Sequence, residues 1–257
     1  MTDKVSDVTY DLDLLEASRS AWERSDGLRF IYGELYGDVQ RNCLEGSVLE
    51  IGSGIAVSRE FIKNVYTTDV TKTDYVDQAM SAYAIERLGQ ADWKNIFAID
   101  VLHHLKQPLQ FFQSAAGALA PGGRIILVEP AATLWGRFFY SRCHHEPIEP
   151  KQVQAPFCFD ANGVDGEFAN MGMGVGLFRD HRSIVAARLA EFGLTVKSVR
   201  YRDFLAYPLT GGYSKPQLLA TSVLRVFIRI EALIPQFFFR FLGLRMVIVL
   251  EKNGERL

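Results

Sequence analysis

Two glycines close a short apolar run in Val48-Leu49-Glu50-Ile51-Gly52-Ser53-Gly54-Ile55-Ala56. Gly52 and Gly54 can take backbone angles, and tolerate a close ligand, that a Cβ would forbid. The run reads as a buried strand, and Ser58-Arg59-Glu60-Phe61-Ile62-Lys63 beyond it reads as a helix. A glycine turn between them falls where open α/β sheets bind nucleotide-like ligands. The third glycine of G-x-G-x-x-G would stand at position 57, which is Val57. Without it a helix N-terminus is not delivered to a pyrophosphate, which disfavours a dinucleotide. No Gly-Lys-Ser/Thr follows, so a P-loop is excluded as well.

A second set of candidates is rich in histidine. His103 and His104 follow an apolar run, and Cys143-His144-His145-Glu146 lies in a proline-rich stretch. Imidazole titrates near neutral pH, so these groups suit proton transfer, with His104, His145 and Glu146 the preferred candidates. Cys143 to Glu146 also invites a metal. Adjacent ligands fit a tetrahedral site poorly, and neither C-x-x-C nor H-E-x-x-H spacing is present, so no metal is expected.

These groups need elements to carry them. Residues 11 to 40 have apolar positions at helical spacing. Strands are expected at 47–52, Asn64 to Asp69, Tyr75 to Ala79, Asn95 to Asp100 and Arg124 to Glu129, with a helix from Leu109 to Leu119 stopped by Pro121-Gly122-Gly123. Such alternation predicts a parallel sheet with helices on both faces. The pattern breaks over about 131–182, which reads as an insertion over the ligand-binding edge. A helix from Ser183 to Phe192 then precedes two late strands, Thr195 to Leu205 and Leu244 to Leu250. Between those strands lies an arginine-studded apolar helix at about 216–234. The segments are thus 1–40 (helical), 41–130 (cofactor-binding core), 131–182 (cap) and 183–257 (the rest of the core).

At 257 residues, 48% hydrophobic and with a net charge of -2, the chain can build a large core and has no basic field for nucleic acid. Cys43, Cys143 and Cys158 have no paired spacing, which suggests reduced thiols and a cytoplasmic protein. The polar N-terminal stretch has no apolar signal core. Arginines break every long apolar run, so no spanning helix is expected.

Three motifs occur in order: Val48 to Gly54, Phe97-Ala98-Ile99-Asp100-Val101-Leu102-His103-His104-Leu105, and Leu119-Ala120-Pro121-Gly122-Gly123-Arg124-Ile125-Ile126-Leu127-Val128-Glu129-Pro130. Together they resemble the class I S-adenosylmethionine-dependent methyltransferases, in particular the small-molecule group with a Val-Leu-His-His-Leu motif. The likeness covers about residues 40–130 and the last strand. It implies a Rossmann-like, seven-stranded sheet whose final strand runs antiparallel beside strand six, with an inserted cap. It further implies S-adenosylmethionine as cofactor, with Glu50, Gly52, Ser53 and Gly54 at its methionine part. Asp69, followed by Val70, would grip the ribose diol, Asp77 would meet adenine, and Asp100 and Val101 would give contacts near the amino acid end. Tyr207-Pro208-Leu209-Thr210-Gly211-Gly212-Tyr213 and His144-His145-Glu146-Pro147 loosely resemble methyltransferases of bacterial saccharide and lipid-saccharide assembly.

The expected activity is therefore methyl transfer to a small or lipid-linked acceptor, with oxygen preferred. Two rivals stand beside it: a nicotinamide-dependent oxidoreductase, and a non-catalytic S-adenosylmethionine-binding module. The basic, aromatic segment 216–240, with Arg225, Arg229 and Arg240, and with Arg245 beyond it, suggests peripheral contact with the inner face of a membrane or a pocket for a lipid-like acceptor. Core packing is the competing reading of that segment, and the sequence leaves the oligomeric state open.

Overall fold

The computed structural model describes residues 12–89, 92–160 and 168–254. Residues 1–11 of the N-terminal segment and 161–167 of the 131–182 insertion lie outside them. Seven strands form one sheet: β1 (Val48–Ile51), β2 (Val65–Asp69), β3 (Gln78–Ala79), β4 (Trp93–Ile99), β5 (Leu119–Pro130), β6 (Leu194–Arg202) and β7 (Arg245–Lys252). Their spatial order is β3-β2-β1-β4-β5-β7-β6. β1 pairs in parallel with both β2 and β4, and β4 with β5. β7 is antiparallel to β5 and to β6, with Ile126 opposite Val249 and Val199 opposite Ile248.

The central strands are covered on both faces, which is why they read as nearly unbroken apolar runs. One face carries α1 (Leu12–Arg24) and α2 (Asp26–Asn42). α2 starts at Ser25, whose hydroxyl accepts from the Leu28 N–H at 3.1 Å, and it buries Leu28, Ile31, Leu35 and Val39 along one stripe. α3 (Pro108–Ala118) and α6 (Arg182–Glu191) belong to the other face, where Phe111, Phe112, Val185 and Leu189 are buried. Filling these positions with bulky side chains stabilises by roughly 1.5–3 kcal/mol each.

The chain leaves β1 toward β2 and β3 on one side, and β4 and β5 lie on the other. The carboxyl ends of β1 and β4 therefore frame a crevice where the winding reverses, as expected for a ligand site in such sheets. The 131–182 stretch contributes α4 (Leu134–Cys143) and, past the undescribed residues, α5 (Met173–Val175), which runs into a π-helical turn at Gly176–Asp180. α7 (Thr221–Ala232) and α8 (Gln236–Leu242) separate β6 from β7.

Three expectations are corrected. The helix sought at Ser58 to Lys63 is a single 3-10 turn, Val57–Glu60. Only eight residues separate the end of the glycine turn at 56 from the start of β2 at 65, which leaves room for little more than one turn. The strand sought at Tyr75 to Ala79 shrinks to Gln78–Ala79. The strand from Thr195 stops at Arg202 rather than Leu205, because Asp203 takes a φ of +58° and leaves the ladder.

The turn after β1 has three consecutive positive-φ positions at alternate residues: Gly52 (+68°), Gly54 (+53°) and Ala56 (+50°). Only the last carries a Cβ, and a left-handed residue with a Cβ is strained by about 1–2 kcal/mol. The freer unfolded glycine chain offsets part of that. Ala56→Gly should therefore stabilise the fold by roughly 0.5–1 kcal/mol, read as a higher urea midpoint with an unchanged slope.

Candidate active site

A cavity of about 300 Å³ opens at the carboxyl edge of the sheet. The glycine turn forms one wall, through Gly52, Ser53 and Gly54. A Cβ on Gly54 would meet nothing nearer than Leu15 Cδ2 at 3.9 Å, so the space before the turn is open. A Cβ on Gly52 would fall 2.4 Å from Val101 Cγ2, so β1 and the end of β4 approach as closely as they do only because position 52 is glycine. Glu50 also lines the cavity. Its carboxylate accepts from the Ser58 hydroxyl, and burial pushes its pKa up to about 7.

Asp69, at the end of β2, braces the turn. One oxygen accepts from the Gly54 N–H at 2.8 Å and the other from the Thr71 N–H at 3.3 Å. Neither Asp69 nor Val70 is among the residues lining the cavity. Asp77 is drawn away from the cavity: it accepts from the Thr67 N–H (2.8 Å) and hydroxyl (3.0 Å) and pairs with Arg59 at 2.7 Å. Burial alone would raise its pKa, but these donors hold it below the usual carboxylate value. The geometry thus gathers Glu50, Gly52, Ser53, Gly54 and Asp100 around the cavity, with Asp69 bracing Gly54 and Asp77 apart.

The opposite wall is built on Glu129, the penultimate residue of β5, which is fully buried. One carboxylate oxygen accepts from the N–H groups of Val101 (2.9 Å) and Leu102 (2.7 Å), the first residues past Asp100. The other accepts from the His103 N–H at 3.3 Å and lies 2.7 Å from His103 Nδ1. One side chain therefore fixes the 3-10 turn Leu102–His104 and orients its first imidazole. The far nitrogen of that ring, Nε2, faces Glu146 Oε2 at 3.4 Å. Burial alone would lower the His103 pKa, but Glu129 and then Glu146 overcome it and raise it to about 10.

A protonated imidazole thus lies between two carboxylates, and its charge spreads to both neighbours. Burial and the His103 charge push His104 down to about 4. Glu146, which burial alone would raise, is drawn down to about 2 by His103, His104 and His144. His104 Nε2 sits 3.8 Å from Glu146 Oε1 and His144 Nδ1 3.9 Å from Oε2. His103, His104, His144 and Glu146 all line the cavity. His145 does not; its side chain is 86% exposed and only brushes Glu146 at 4.0 Å. Potential ligand atoms of His103, His104 and Glu146 do lie within 4.8 Å of one another.

The linkage follows from the direction of the His103 shift. Its folded pKa lies above the unfolded value of about 6.5, so its stabilisation is full below that pH and is lost as pH rises toward 10. Urea midpoints should fall between pH 7 and pH 10 more steeply for the native protein than for His103→Asn. Parallel profiles would contradict the pairing.

A buried cation completes the cavity, one that the sequence showed only as an arginine following the basic 216–240 segment. Arg245, at the start of β7, is 3% exposed at the side chain and reaches Asp100 Oδ2 (3.1 Å), Asp203 Oδ2 (3.5 Å) and the Tyr32 hydroxyl (3.2 Å). Its guanidinium lies over the Tyr207 ring, 4.1 Å from the centroid. It is therefore no part of the basic amphipathic segment that precedes it in sequence. Asp100 Oδ1 and Arg245 Nε are buried with no partner. A ligand that brings a donor and an acceptor here would satisfy both. Arg29 plays no part, since it caps the carbonyls of Trp22 (2.7 Å) and Glu23 (2.8 Å).

This strand order, an antiparallel last strand and a glycine turn facing the switch-point cavity define a Rossmann-like methyltransferase architecture. The chain belongs to the methyltransferase domain family, whose model matches residues 29–195, and it is an S-adenosylmethionine-dependent methyltransferase. A structure of an S-adenosylmethionine-dependent methyltransferase from Archaeoglobus fulgidus superposes with a TM-score of 0.50 at 12% identity, over 87% of this chain and 94% of that one. A similar enzyme from Thermotoga maritima gives a TM-score of 0.48 at 13% identity, over 89% and 91%. No curated protein matches the sequence. At these identities the likeness concerns the fold. The glycine turn, the open face of Gly54 and the unpartnered Asp100 and Arg245 atoms suit the cofactor, which carries both an amino group and a carboxylate.

Proposed function

We propose that the protein methylates a hydroxyl oxygen of a small or lipid-linked saccharide, with His104 taking the proton. The observation that carries this reading is the sharing of one cavity by the glycine turn and the His103–His104–Glu146 cluster. Glu50, Gly52, Ser53 and Gly54 would hold the methionine part of the cofactor, Asp69 and Val70 the ribose side, and Asp100 and Val101 the amino acid end. Asp77 would serve the adenine end only indirectly, by holding β2 to β3 beside it. Tyr140, Tyr207 and Tyr213 also line the cavity and would present aromatic surface to a polyhydroxylated acceptor, the Tyr140 hydroxyl itself donating to the Leu244 carbonyl at 2.8 Å.

When bound, S-adenosylmethionine supplies a methyl group on a cationic sulfur. The cavity walls must align the acceptor oxygen with that carbon and exclude water, an effect worth up to about 7–11 kcal/mol. The bound cofactor would supply the methyl carbon as an electrophile, its C–S bonding pair remaining on sulfur when the acceptor oxygen takes that carbon. The hydroxyl becomes strongly acidic as its oxygen loses electron density. A weak base is then sufficient, and His104, neutral at pH 7, fits that need. Glu146, ionised at 3.8 Å, stabilises the imidazolium that results. His103 does not accept a proton, because it already carries one; it positions Glu146. His145, 86% exposed and outside the cavity lining, would contact only an acceptor that extends beyond the cavity.

Transfer of a 13C-methyl group from labelled cofactor into a saccharide-lipid extract tests the reading. The label should appear at the carbon shift of a methyl ether. A label found only on nitrogen, carbon or sulfur would overturn the choice of oxygen.

A further inference from the structure

The apolar stripe of α7 faces the wrong way for a core helix. The helix buries Leu224 and Glu231, seven residues apart, and leaves Val223, Val226 and Ile230 exposed, with Leu233 82% exposed just beyond. In an ordinary surface helix the stripe is buried and the carboxylate is outside. Glu231 is turned in because it caps the chain after β6: its oxygens accept from the N–H groups of Phe204 (3.1 Å), Leu205 (2.8 Å) and Ala206 (2.7 Å). The inversion is therefore built, and an apolar ridge is its consequence.

The ridge continues. α8 exposes Phe237, Phe238 and Phe241, and it packs beside α4, which exposes Leu134 and Phe138. Trp135 of α4 donates to the Phe204 carbonyl at 3.2 Å and stacks on Phe138, so the helices meet at the loop that Glu231 caps. The charge on the three helices is one-sided. They carry Arg137, Arg142, Arg225, Arg229 and Arg240, all exposed, and their sole carboxylate is the buried Glu231. The chain as a whole has a net charge of -2, so this basic surface is a local concentration.

We infer that α4, α7 and α8 form a docking surface for an anionic lipid bilayer, lying in the interface with the phenylalanines at the acyl boundary and the arginines at the headgroups. Exposed aromatic and aliphatic side chains on helices whose exposed charges are all arginine match such a surface in both chemistry and sign, although Arg225 also lies over the Phe30 ring at 4.8 Å. A second copy of this chain would set five arginines against five arginines, which disfavours a self-paired interface. None of the described helices is long and apolar enough to cross a membrane, so the contact is peripheral. The inference rests on this surface alone and stands whether or not the acceptor is a lipid-linked saccharide.

Vesicle flotation tests it, with vesicles of phosphatidylcholine alone and with phosphatidylglycerol added. The native protein should float with the phosphatidylglycerol vesicles and stay largely at the bottom with phosphatidylcholine. The pair Phe237→Glu/Phe241→Glu should abolish flotation, and Arg229→Glu/Arg240→Glu should lower it by roughly tenfold or more. Both variants should bind S-adenosylhomocysteine like the native protein, which separates lost docking from lost folding. Failure of the native protein to float would overturn the inference. So would flotation that both variants retain, or a dimer in sedimentation equilibrium that the phenylalanine variant splits while vesicles bind neither form.

Discussion

Glu129→Ala should cost about 3–5 kcal/mol of stability, and the variant should also lose cofactor binding. Glu129 accepts from three backbone N–H groups and from an imidazole, all in the interior. Its removal leaves a buried His103 charge facing only Glu146, and the Val101 and Leu102 N–H groups without acceptors. Glu129→Gln separates the two contributions. The amide keeps one acceptor oxygen and the shape of the side chain, but presents an NH2 group to donors. Its loss should be smaller, and the His103 pKa should fall from about 10 toward its ordinary value. Urea unfolding gives the stabilities, and the His103 ring shifts in an NMR titration give the pKa. An unchanged His103 pKa in Glu129→Gln would contradict the assignment of Glu129 as the main cause of its rise.

His104→Ala should lower kcat for methyl transfer by about 10²–10⁴ while leaving S-adenosylhomocysteine affinity within a few-fold. The ring touches the cavity but takes no part in bracing the glycine turn, so its loss should fall on chemistry rather than on cofactor binding. The native kcat should stay level from pH 8 to about pH 5, because a base with a pKa near 4 remains unprotonated throughout. It should fall only as the pH approaches that value. Glu146→Gln removes the charge that favours imidazolium at His104, and kcat should drop, by less than tenfold for each unit by which the His104 pKa falls. A rate that breaks near pH 6.5, or a His104→Ala variant with native kcat, would remove His104 from the proton path.

Much of the sheet was legible because parallel central strands are buried on both faces, so β1 and β5 appear as largely apolar runs that local pattern alone can locate. The helix after Gly54 was misread for the opposite reason. Its residues have a helical pattern, but the short span between β1 and β2 allows only a 3-10 turn. The chemistry was harder to see because it joins distant positions. Arg245 meets Asp100 across 145 residues, and Glu129 meets His103 across 26. An arginine opening an apolar run gives no sign in sequence that it will be enclosed by tyrosines and aspartates. Glu129 was visible only as the acid near the end of the third motif. The missing third glycine at Val57 argued against a dinucleotide from the start, and Ala56, held at a φ of +50°, marks how tightly the turn is constrained.

The most direct test of the cavity as a methyl-donor site is calorimetric titration of the purified protein with S-adenosylhomocysteine and, in parallel, with NADH. The account predicts one S-adenosylhomocysteine bound per chain, with affinity reduced at least tenfold by Asp69→Asn, and no saturable heat with NADH. Saturable binding of NADH without binding of S-adenosylhomocysteine would contradict it.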